Sequence, residues 1–176
     1  MTYDINTRQG LPVDMQALLS DYPRDAWPDH PNFAASVQNW MGAHQMFKQL
    51  SAITLGDTEQ FLNKDLDDDL YVERLGYFGN HLVRNLHGHH TWEDRSFFPE
   101  LAKSDDRFLH AINMLESDHD VLDEVLDQFT SGANRVIKLA TLDPAQLRDE
   151  AGKVLQHAPS AARGWDTDGL PRPRQL

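Results

Sequence analysis

Between Tyr71 and Glu93 the apolar positions Tyr71, Leu75, Phe78, Leu82 and Leu86 recur every three or four residues, and the stripe then passes through His89 and Glu93. That period belongs to one face of a helix and not to a strand, whose side chains alternate. The helix is expected from about Asp68 to Ser96, with Pro99 closing it. A face this long must be covered by other helices. Whatever covers its far end must accept an imidazole and a carboxylate in place of leucines.

Three further patterns supply the cover. From Asn32 to about Leu55 the positions Phe33, Val37, Trp40, Met41, Phe47 and Leu55 keep helical spacing, and Gly56-Asp57 with the acidic stretch Asp65 to Asp69 flanks a connection. Ser104-Asp105-Asp106 offers capping residues for a third helix, whose stripe is Phe108, Ile112, Leu115, His119, Leu122, Leu126 and Phe129. Thr130-Ser131-Gly132 is expected to weaken or stop it. Asp143-Pro144 starts a fourth helix carrying Leu147, Ala151 and Val154. Residues 1–31 read as an irregular arm broken by Gly10-Leu11-Pro12, Tyr22-Pro23, Trp27-Pro28 and His30-Pro31, with a short helix across Val13 to Ser20. Residues 159–176 read as an irregular tail with three prolines. No strand or hairpin pattern competes, so the expectation is all-α: an antiparallel up-and-down four-helix bundle over residues 32–158.

Composition narrows the chemistry. The 176 residues suit one domain, and 28 acidic against 16 basic residues give a formal net charge of −12. Such a charge repels phosphate backbones and anionic membrane surfaces, so neither nucleic acid nor membrane is an expected partner. With no cysteine, disulfides, iron–sulfur clusters and thiolate metal sites are excluded, and any metal must take nitrogen and oxygen ligands. The start Met1-Thr2-Tyr3-Asp4 lacks a basic region leading into an apolar run, and a cytoplasmic protein is expected. There is no glycine-rich phosphate loop and no Gly-x-Ser-x-Gly turn. Glu93 and Asp94 are neighbours that leave the helix in different directions, unlike a glycosidase carboxylate pair.

The histidines carry the remaining signal. A single histidine on an apolar face is more often a hydrogen-bonded core residue than a ligand. Here three helices share the anomaly: His44, His89 and His119 each interrupt an apolar stripe, and Glu93 lies one turn beyond His89. A carboxylate pointing inward is costly unless a cation or a donor meets it, so these four residues are candidate metal ligands. His90 flanks the stripe, where it can enter a second metal's shell or hydrogen-bond the first. His81 can do so only one layer away, and His87 points to solvent. Glu116 and Asp123 bracket His119 as either orienting carboxylates or ordinary surface charges.

The run His89-His90-Thr91-Trp92-Glu93, followed by Phe97-Phe98-Pro99-Glu100-Leu101, resembles the second helix of the hemerythrin-like, HHE cation-binding family. His44-Gln45-Met46-Phe47 resembles the family's first-helix element, and Asp118-His119 its third. The resemblance implies a four-helix bundle around non-haem iron, one or two ions, that serves dioxygen or another small diatomic ligand, redox or iron sensing, or storage. It departs in the fourth helix, where relatives carry another His-x-x-x-Glu element. Only His157 stands near, as a further candidate metal ligand, and Trp165 to Gly169 holds no histidine or glutamate. If that loss abolished the site, the chain would instead be a metal-free interaction or dimerisation module; oxidase or peroxidase chemistry at an open iron is the enzymatic alternative. A short fourth helix is also expected to bare Phe47, Leu115 and Leu122, inviting a homodimer or cover by the N-terminal arm.

Overall fold

The computed structural model describes residues 20–31, 33 and 35–157, except for the side chains of residues 24, 36 and 157. The expected short helix across Val13 to Ser20 and the tail 159–176 lie outside this range, apart from Ser20 itself. Four helices make up the bundle, and there is no strand among the described residues.

Helix α1 spans Ala35–Leu62 and so runs through Gly56, past the expected end at Leu55. A glycine inside a helix costs about 1 kcal/mol, and tertiary contacts beyond it outweigh that cost. Phe61 stacks on Tyr71 with ring centroids 4.2 Å apart, and Asp57 accepts a 2.8 Å hydrogen bond from Arg74 Nε. The chain then reverses through Lys64, which takes a positive φ of 70°. Asp67 caps the next helix by accepting from the Leu70 N–H at 2.9 Å.

Helix α2 is a continuous rod over 68–104. Its α-helical segments Asp68–Arg74, Asn80–Trp92 and Phe98–Ser104 are joined by π-helical turns at Leu75–Gly79 and Glu93–Phe97. Pro99 does not end it. The Phe98 N–H reaches back to the Glu93 carbonyl across the second π-turn, and Pro99 follows in the first turn of the last segment, where a missing N–H is tolerated.

Helix α3, Leu109–Leu142, follows a 3₁₀ turn at Asp106–Phe108 and passes uninterrupted through Thr130-Ser131-Gly132. Gly132 is a packing residue here: a Cβ added to it would stand 3.0 Å from Val154 Cγ2 on the helix that follows. That helix, α4, is Leu147–His157, preceded by a 3₁₀ turn at Pro144–Gln146. Helix α1 packs on α2 and α4, and α3 packs on α2 and α4.

The core divides into two layers. One contains Phe61, Tyr71, Leu75, Phe129, Val136, Leu147, Ala151 and Val154. The other contains Phe47, Leu82, Leu86 and Leu126, contributed by α1, α2 and α3. Phe47, expected to be bare, is only 6% exposed, because α2 and α3 close over it without help from α4. Leu115 and Leu122 are half-buried. Beyond this second layer lie the histidines.

Candidate metal centre

Each helix that reaches the centre carries its polar residues on the continuation of its apolar stripe. On α1, His44 and Trp40 lie one and two turns before Phe47; on α2, His89, His90 and Glu93 follow Leu82 and Leu86; on α3, His119 precedes Leu126 by two turns. The residues that fix the second core layer thereby aim these side chains at one another.

Glu93 is the hub. It is 2% exposed, and its two carboxylate oxygens face different imidazoles. Oε1 lies 3.2 Å from His89 Nε2, and Oε2 lies 3.3 Å from His119 Nε2. Trp40 donates its indole N–H to Oε1 at 2.5 Å. His44 and His89 meet edge to face with ring centroids 4.8 Å apart, while His90 and His119 stack in parallel at 4.0 Å. Two groups of ligand atoms result, His44–His89–Glu93 and His90–Glu93–His119, each with all its donor atoms within 4.8 Å of one another. Glu93 belongs to both.

The tautomers leave the right nitrogens available. His44 Nδ1 lies 3.0 Å from the Trp40 carbonyl oxygen, which can only accept, so Nδ1 is the donor and Nε2 keeps its lone pair. His119 Nδ1 likewise donates to Asp94 Oδ1 at 2.8 Å, leaving Nε2 free toward Glu93. Protonation fits as well. Burial, reinforced by the neighbouring His119, holds His90 down to about 3, and burial also lowers His44. Burial pushes the Glu93 carboxyl up, but His89 and the Trp40 N–H outweigh it and leave Glu93 below its ordinary value. Neutral imidazoles around an ionised carboxylate are the forms in which these side chains bind a metal.

The residues fit a cation by two observations. His89 Nε2 and Glu93 Oε2 are buried with no hydrogen-bond partner, a cost that protein interiors rarely bear. The 3.2 and 3.3 Å separations are also those of donors sharing one ion: ligands at about 2.1 Å from a metal stand about 3.0–3.4 Å apart. Two imidazoles and a carboxylate oxygen per position suit a borderline divalent ion with open coordination places.

The remaining candidates sort as follows. His90, expected either in a second metal's shell or hydrogen-bonded to the first, is 5% exposed and belongs to the second group. His81 is exposed and hydrogen-bonds the Tyr77 carbonyl, outside the centre. His87 is exposed as expected. Glu116 is exposed and Asp123 turns toward His87 and His90, so neither orients His119; Asp94 does. Asp94 and Glu93 leave the helix in different directions, as read from the sequence, yet both serve one centre. His157 is the last residue of α4, and its side chain lies outside the described part. The buried apolar side chains of α4, Leu147, Ala151 and Val154, belong to the other core layer, and its buried Glu150 pairs with Arg135 and Lys153. Trp40 and Asp94 were not singled out as site residues by spacing.

Comparison with curated proteins and with solved structures gives no match. Residues 35–159 match the family model described as Hemerythrin HHE cation binding domain, an interval that takes in α1 to α4 and every residue of both ligand groups. The chain belongs to the hemerythrin HHE cation-binding domain family.

Proposed function

We propose that this chain is a non-haem iron protein, built as an antiparallel up-and-down bundle, that holds one or two iron ions between α1, α2 and α3. His44, His89 and Glu93 would hold one ion and His90, His119 and Glu93 the other. The bound iron would supply dioxygen or diatomic-ligand binding and redox chemistry, used for sensing or storage. The observation that carries this reading is Glu93: a buried carboxylate, held below its ordinary pKa, whose two oxygens face His89 and His119 and which belongs to both ligand groups. Among the described residues α4 sends no ligand to the centre, so a diatomic ligand has coordination places to enter. Trp40 orients Glu93 and Asp94 orients His119, the side chains that would hold the ions.

A second reading, a metal-free interaction module, is favoured by the same lack of fourth-helix ligands. Loading the protein with ferrous iron under argon and recording absorption before and after admitting air separates the two. New near-ultraviolet and visible bands on exposure, lost in His119→Ala, support an iron centre. A spectrum that air leaves unchanged, with no iron retained after desalting, supports the module.

A further inference from the structure

The two halves of the centre differ in what stands behind their ligands, and the differences run in one direction. On the His90–His119 side, a carboxylate backs each imidazole. Asp94 Oδ1 accepts from His119 Nδ1 at 2.8 Å, and Asp123 Oδ1 lies 3.7 Å from His90 Nδ1, both of those atoms being buried and without a hydrogen-bond partner. Glu93 Oε2, the oxygen on this side, carries no competing hydrogen bond. On the His44–His89 side, His44 leans on a neutral backbone carbonyl, and Glu93 Oε1 already accepts the 2.5 Å bond from Trp40. An anionic partner behind an imidazole raises its basicity toward a metal, whereas a strong donor on a carboxylate oxygen withdraws electron density from it.

We infer that the two metal positions are unequal: the one between Glu93, His90 and His119 fills first, with Asp94 and Asp123 as its positioning residues. This rests on the metal-binding reading above. Asp94 orients His119 by an existing hydrogen bond. Asp123 would accept from His90 Nδ1 once that imidazole's other nitrogen serves as the ligand.

Titration of the metal-free full chain with cobalt(II) under argon, followed by calorimetry and by the visible bands of the bound ion, tests the order. The first equivalent is expected to bind more tightly than the second. Asp94→Asn should weaken the first step by about 10- to 100-fold and leave the second unchanged, as removal of an outer carboxylate does at other metal sites. Asp123→Asn should act in the same direction. Because the Asp94 and Asp123 side chains are 38% and 45% exposed, both variants are expected to fold, which circular dichroism checks. His89→Ala should remove the second step and spare the first. Two equal steps in the wild-type chain, a first step unmoved in both aspartate variants, or loss of the first step in His89→Ala would overturn the inequality while leaving metal binding intact. No cobalt or iron bound by the wild-type chain would overturn the metal reading itself, and the inequality with it.

Discussion

Glu93 concentrates the account at the residue scale, since in the metal-free chain its charge is met only by His89, the Trp40 N–H and His119 among the described residues. Glu93→Gln keeps the shape but removes an anionic oxygen from both positions, and is expected to lose most bound metal by elemental analysis. Trp40→Phe takes away the N–H that Trp40 donates to Glu93, and should cost the metal-free protein about 1.5–3 kcal/mol in denaturant unfolding. Acid should act on the same cluster. His90 sits at about 3 in the fold against an ordinary value of 6.5, so between these values the unfolded chain binds a proton that the native one refuses. The lowered Glu93 works in the same sense. The metal-free protein is therefore expected to lose stability as the pH falls from 6.5 toward 3; a melting temperature flat across that window would contradict the burial of His90. His44, His89, Glu93 and His119 were legible because each breaks an apolar stripe. Asp94 was not, because it leaves α2 about 100° from Glu93, and which helix packs on that flank is a tertiary fact absent from periodicity. Trp40 counts in the sequence only as one of the apolar positions of its helix; its N–H acquires meaning only from where Glu93 ends up.

The helices match the sequence in number and stripe but not at their ends. Gly56, Pro99 and Thr130-Ser131-Gly132 all carry stop signals, and α1, α2 and α3 run through every one of them. Propensity yielded at Gly56 to the contacts of Asp57 and Phe61, at Pro99 to a π-turn that takes up the missing N–H, and at Gly132 to the close approach of α4. The last of these has a test. Gly132→Ala puts a methyl 3.0 Å from Val154 Cγ2, a β-branched side chain 2% exposed and unable to swing away, and should destabilise the protein by about 1–3 kcal/mol. Val154→Ala in the same chain makes room for the methyl, so the double variant should lose less than the sum of the two single losses. Full additivity would mean that α3 and α4 do not meet there.

At the scale of the molecule, the described part of α4 braces one core layer and leaves the centre to the other three helices. The apolar face that a short fourth helix was expected to bare is correspondingly small, since Phe47 is covered from within. The charges are placed so that a bound cation completes the fold: an ion that binds only the native state stabilises it by about 2.7 kcal/mol at a hundredfold excess over its dissociation constant. Stripping metal with a strong chelator should therefore lower the melting temperature of the wild-type chain and leave that of Glu93→Gln nearly unchanged. No helix among the described residues is long and apolar enough to cross a membrane. The central claim is that His44, His89, His90, Glu93 and His119 form a metal centre, and the metal content of the chain tests it most directly. After loading with ferrous iron under argon and desalting, the wild-type chain should retain between one and two iron ions per chain, and Glu93→Gln little or none. A wild-type chain that retains no metal, or a Glu93→Gln chain that retains as much as the wild type, would contradict it.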